Sequence, residues 1–113
     1  MKFALGLLVL TMSLSAMAEK RQITIVNHEM DGVKQWLPGT IIVKKGDDVE
    51  LTLINNVPSG VHGFFIPEFN VRKEVQKGQK EVVTFKAAKD GLFEMKCHMH
   101  PAHVGGQLLV LPN

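Results

Sequence analysis

The chain has 113 residues, 45% of them hydrophobic and 21% charged, with a single cysteine and a formal net charge of +2. One cysteine excludes an internal disulfide, a multi-cysteine zinc site, a cysteine-ligated iron–sulfur cluster and a CxxC redox pair. The length suits one domain, the composition is globular, and the scattered lysines lack the clustered basic face that nucleic-acid binding requires.

The chain opens with Lys2 and a mostly apolar run from Phe3 to Leu14. A run of that length is a signal-peptide core and is too short for a membrane span. Ala16-Met17-Ala18 is a small-x-small cleavage site, and polar Glu19-Lys20-Arg21-Gln22 follows. The expectation is a signal peptide over residues 1–18, export to a bacterial periplasm, and one domain over residues 19–113 with no membrane span. The alternative is an N-terminal anchor helix. This stretch contains no cysteine, so a lipoprotein anchor is excluded. Exported proteins usually pair their cysteines. A lone one needs a reason: a metal, a partner thiol or burial.

From there the chain reads as short strands between turns. Turn signals stand at Pro38-Gly39, Gly46-Asp47-Asp48, Asn55 through Gly60, Lys77-Gly78, Asp90-Gly91 and Gly105-Gly106. Ile23 to Val26 is a β-rich run. Val49, Leu51 and Leu53 alternate with Glu50 and Thr52, and Val83 and Phe85 alternate with Val82 and Thr84. Gln107 to Leu111 is the last run. Period-2 patterning between regular turns predicts an all-β sandwich or barrel. Residues 66–78 are expected to be irregular, His28 to lie in a surface loop, and Trp36 and Met95 to lie in the core.

Alternation decides where the cysteine points. Along Leu92 to Cys97, the residues Leu92, Glu94 and Lys96 share one face, which suits solvent, and Phe93, Met95 and Cys97 share the other, which suits the core. An inward cysteine taken alone is more often a small buried hydrophobe than a ligand. The histidines change that reading. Cys97-His98-Met99-His100-Pro101-Ala102-His103 offers one thiolate, three imidazoles and a thioether. Thiolate and thioether suit Cu(I), imidazole suits Cu(II), and a site with both can cycle. His62 directly follows a turn, and loops at one end of a sandwich cluster in space. His62 is therefore placed to complete the site. Alternation turns His98 away from the Cys97 side, so it is expected to be exposed.

These residues resemble the cupredoxin family. Pro38 to Val49 resembles its early strand, turn and strand, with Asn55 ending the latter. His62 matches its mid-chain histidine, and Cys97 and His100 match its C-x2-H loop. His103 falls where the short-loop amicyanin type carries its axial methionine. The resemblance covers residues 22–111 and implies a Greek-key β-sandwich. It implies one copper ion held by His62, Cys97, His100 and His103, with Met99, His98 and Glu68 as lesser candidates. His62-Gly63-Phe64-Phe65-Ile66-Pro67 also resembles the cupredoxin domain of cytochrome oxidase subunit II and nitrous oxide reductase. Their dinuclear centre needs two cysteines, and this chain has one. The whole pattern further resembles nitrosocyanin, a red copper protein, with His62 where that protein has glutamate. Phe64, Phe65, Phe69 and Phe93 are expected to wall the site.

Three functions follow from the resemblance. The first is electron transfer between Cu(I) and Cu(II), with a redox partner protein. The second is periplasmic copper handling or tolerance, with a copper-trafficking partner. The third is a red-copper-type centre reacting with a small molecule such as nitric oxide, which four protein ligands disfavour. One thiolate with three imidazoles also suits zinc chemically. No signature of an oligomer interface is present in the sequence.

Overall fold

The computed structural model of the protein describes Gly6 and residues 18–113. Apart from Gly6 and Ala18, the signal peptide expected over residues 1–18 lies outside the described residues. Among the described residues nine strands follow one another: β1 (Lys20–Met30), β2 (Val33–Leu37), β3 (Thr40–Lys44), β4 (Asp48–Asn55), β5 (His62–Ile66), β6 (Val71–Val75), β7 (Lys80–Lys86), β8 (Gly91–Met95) and β9 (Gly106–Leu111). A 3-10 turn, Pro67–Phe69, separates β5 from β6. Among the described residues no helix is long and apolar enough to cross a membrane.

One sheet has the order β2-β1-β4-β7 and another β3-β9-β8. The β5–β6 hairpin extends the second layer, because Phe65 and Lys96 exchange backbone hydrogen bonds of 2.8 and 2.9 Å. The chain crosses between layers after β2, β3, β4, β6 and β7, which is why β1 pairs with β4 and β3 with β9 in parallel. The alternation predicts an all-β sandwich or barrel, and the fold is the sandwich that the family resemblance implies.

The period-2 signal places the core directly. Val49, Leu51 and Leu53 on β4 are at most 1% exposed, and they face Ile41, Val43, Phe64, Ile66, Leu108 and Val110 from the other layer. Full burial of each such side chain is worth about 1.5–3 kcal/mol. At the start of β1 and β4 a buried carboxylate ties the layers together. Asp47 accepts from Arg21 Nε and Lys44 N–H at 2.9 Å, and from Glu19 N–H at 3.2 Å. Burial by itself would raise its pKa. The donors at Lys44, Arg21 and Glu19 outweigh burial and hold the carboxyl below its ordinary range.

Two expectations are corrected. Residues 66–78 are not irregular throughout, because Val71–Val75 is a strand paired with β5 from His62↔Val75 to Ile66↔Val71. Lys73 shares a face with Val71 and Val75, which breaks the apolar alternation that would have marked it. His28 is exposed as expected, but it lies in β1 opposite Gln35 and not in a loop. The hairpin that continues β1 into β2 turns at Asp31 and Gly32, with φ of 51° and 80°. Two positive φ values are the mark of a type I′ turn, for which Asp-Gly is a preferred pair.

Candidate metal centre

Three donors meet at the end of the sandwich where β4 stops, β5 starts and the chain leaves β8. His62 is the first residue of β5 and is 1% exposed. The turn before it is held by Asn55, whose amide nitrogen donates to the carbonyls of Gly60 and Val75, each at 2.8 Å. Asn55 Oδ1 accepts from Val57 N–H at 3.1 Å. Ser59 Oγ lies 3.1 Å from His62 Nε2 and fixes that edge of the ring. His62 Nδ1 is buried with no hydrogen-bond partner among the described residues.

Cys97 follows β8 and is 6% exposed, on the inward face that alternation assigned to it. Its Sγ accepts from Gly63 N–H at 3.3 Å and lies 3.4 Å from His100 Nδ1. The backbone turns back after His100 through a 3.0 Å bond from His103 N–H to His100 O. Ligand atoms of His62, Cys97 and His100 all lie within 4.8 Å of one another. One thiolate and two imidazoles at that spacing suit copper. The unpaired, buried Nδ1 of His62 shows the fit: a desolvated lone pair is costly until a cation takes it.

The other expected donors lie around this triad or away from it. The His103 ring is 7% exposed with its centroid 5.5 Å from that of His62. Its Nε2 lies 2.7 Å from Asn27 Oδ1 and its Nδ1 3.1 Å from Val104 O. It stands beside the triad and not within it. His98 is half-buried and not exposed as expected, with its ring over Gly63 and edge-on to Phe65 at 5.7 Å. Alternation does turn His98 away from Cys97, but β5 lies against that edge of the sheet and covers it. A side chain at position 63 would collide with the His98 ring, so the contact requires glycine. Met99 lies half-buried at the bend between His98 and His100. Glu68 is exposed on the 3-10 turn beyond the far end of β5, paired with Lys89 at 2.8 Å, and does not join the triad.

The aromatic wall also differs from expectation. Phe69 packs on Phe85 and Phe93, at 5.2 and 5.0 Å, with Lys89 over Phe69 and Phe93. Trp36 takes their place at the site. Its Nε1–H donates to Gly63 O at 2.9 Å, and its ring stands edge-on to Phe64 at 5.5 Å and 6.4 Å from His103. No sequence pattern links Trp36 to the loop; β2 brings it there by pairing with β1.

The family described as Cupredoxin-like domain matches residues 2–110. The chain belongs to the cupredoxin-like family. Residues of this cupredoxin are 42% identical over 57 positions to the nitrous-oxide reductase of Cupriavidus necator, covering 49% of the chain and 9% of that enzyme. Its fold is similar to the copper nitrite reductase of Nitrosomonas europaea, with a TM-score of 0.71 at 21% identity over 83% of the chain. A multicopper oxidase matches with a TM-score of 0.68 at 20% identity over 85% of the chain. The cupredoxin spans 42% and 40% of those two chains.

Burial above all, then the charges of His100, His103 and Lys34, lower the His62 pKa to about 4. At neutral pH His62 is therefore a neutral imidazole with an available lone pair. Burial also lowers His103 and His98. The sign for stability follows. The unfolded chain protonates His62 near pH 6.5, and the folded cupredoxin does so only near pH 4. The metal-free protein should keep its full stability above about pH 6.5 and lose about 3 kcal/mol from this group as the pH falls to about 4. Urea midpoints measured across that range check this, and His62→Gln should reduce the dependence to what His103 and His98 contribute.

Proposed function

We propose that this cupredoxin is an exported, periplasmic protein that holds one copper ion and carries single electrons to or from a redox partner protein. The observation that carries this reading is the buried triad of His62, Cys97 and His100, with ligand atoms mutually within 4.8 Å. Copper, when bound, supplies a one-electron Cu(I)/Cu(II) couple. The protein supplies a stiff frame for it. Cys97 brings the thiolate, and Gly63 N–H holds its sulfur. His62 is held through Ser59 and the Asn55 turn. Gly63 and Cys97 sit on neighbouring β segments joined by the Phe65–Lys96 bridge. Donors held from behind in this way do not need to move between oxidation states.

His103, whose ring lies beside the triad, would supply a fourth donor to the bound ion. An imidazole there favours Cu(II) more than a thioether does, so the potential is set lower than in a site with axial methionine. His100 is half-buried, whereas His62 and Cys97 are 1% and 6% exposed. It is the triad's edge nearest solvent and the natural point of electron exchange.

One equivalent of Cu(II) added to the purified protein should produce a visible thiolate-to-copper band. Ascorbate should bleach it and ferricyanide restore it through repeated cycles, with one copper bound per chain throughout. A band that fails to return after reduction, or copper that passes at once to a chelator, would favour copper delivery over electron transfer. Zinc displacing copper at equal concentration would overturn the copper assignment.

A further inference from the structure

A chain of buried amides determines the protonation pattern of His103. It starts from backbone carbonyls, which can only accept. The atom of Asn55 that lies 2.8 Å from both Gly60 O and Val75 O must therefore be its NH2 group. That puts Asn55 Oδ1 on the other side, where it accepts from Val57 N–H and faces the Asn27 amide at 3.3 Å. An oxygen there requires Asn27 to present its NH2. Asn27 Oδ1 then faces His103 Nε2 at 2.7 Å. Asn27 and Asn55 are both 0% exposed, so the pairing is made within the protein. Tautomers and amide orientations are assigned from such networks. Here it leaves a neutral ring with two acceptors, Asn27 Oδ1 and Val104 O, and one N–H to give.

We infer that Asn27 is a positioning residue that holds His103 as its Nε2–H tautomer, leaving Nδ1 as the one free electron pair of the ring. The competing acceptor is Val104 O, 3.1 Å from Nδ1. A neutral imidazole has one N–H for these two acceptors. The shorter contact to Asn27 takes it, and Nδ1 is left facing a carbonyl oxygen with no proton between them. Without Asn27 the proton would move to Nδ1 and bond Val104 O, which would block the nitrogen that Asn27 keeps open. The relay also joins both halves of the site. Asn55 holds the turn before His62, and the same side chain orients Asn27 against His103. Outer partners of metal-binding histidines commonly set tautomer and ring orientation in this way. The consequence for copper rests on the function proposed above, whereas the tautomer exists in the metal-free protein.

Long-range nitrogen–proton NMR of the histidine rings, on metal-free protein at pH 7.5, tests the inference. His103 should show a protonated Nε2, slow to exchange with solvent, and an unprotonated Nδ1. In Asn27→Leu, which keeps the side-chain volume, the Nε2–H signal should be lost and Nδ1 should become protonated, with exposed His28 unchanged. Asn27→Ala should behave in the same way. A wild-type ring protonated at Nδ1 would overturn the inference, and this reading stands even where neither variant folds. An Nε2–H signal that persists in both folded variants would also overturn it. A switched tautomer with an unaltered spectrum of the copper-loaded variant would support the relay and remove His103 from the ligand set. That outcome separates the relay from the copper reading.

Discussion

Cys97→Ser protein loaded with Cu(II) should show no thiolate-to-copper charge-transfer band, and its affinity for Cu(I) should fall by more than about 100-fold. Loss of an outer partner of a ligand commonly costs about 10–100-fold in metal affinity, and this change removes the ligand itself. A serine hydroxyl stays protonated at neutral pH and is a hard oxygen donor, whereas Cu(I) prefers the soft thiolate. The fold should survive the change. Serine is close to cysteine in size, and Gly63 N–H and His100 Nδ1 lie 3.3 and 3.4 Å from the sulfur, ready to pair with a hydroxyl. Absorbance during copper addition and competition with a Cu(I) chelator check both halves. A charge-transfer band of undiminished intensity in the folded variant would show that it does not arise from Cys97.

Asn55→Ala should be the most damaging change outside the triad. The side chain is 0% exposed and is hydrogen-bonded to Gly60 O, Val75 O, Val57 N and Asn27 Nδ2. Truncation strands all of these buried groups at once. Each unsatisfied group costs about 1–3 kcal/mol, and neighbours share part of that cost, so a total near roughly 4 kcal/mol is expected. For a domain of this size the melting temperature should fall by at least about 15 °C. Copper affinity should fall with it, because the turn leading into His62 loses its anchor. Asn55→Asp should not rescue the protein, since a carboxylate oxygen would then face the carbonyls of Gly60 and Val75. A thermal melt and a copper titration on each variant test this. A melting temperature within about 5 °C of wild type would mean that water replaces the lost bonds.

The contrast between β4 and β6 shows how far pattern reading reaches. On β4 the sequence alternation and the observed burial agree from Val49 to Leu53, because one face of the strand meets the core and the other does not. On β6 only Val71 and Val75 mark the inner face, with Lys73 between them, so the strand is visible only once β5 lies beside it. The site divides in the same way. Cys97 and His100 are read together because they are close in the chain and alternation turns Cys97 inward. His62 joins them by the rule that loops at one end of a sandwich cluster. Glu68 is close to His62 in sequence, yet the length of β5 carries it away to Lys89.

Sequence alone therefore determined the all-β class, the direction of Cys97 and the soft–borderline donor set that suits copper. Each of these rests on local spacing or residue chemistry. Tertiary structure decided that Trp36 walls the site, that His98 is covered by the β5 edge, and that His103 is bonded to Asn27 across 76 positions of chain. Those facts depend on which strands lie side by side. The parallel pairing of β1 with β4 places Asn27 opposite Asn55, and hydrogen bonds between buried amides then pass that register on to His103. The single cysteine shows both levels: its count excluded paired-thiol chemistry, and the packing of β5 against β8 put Gly63 N–H and His62 beside its sulfur.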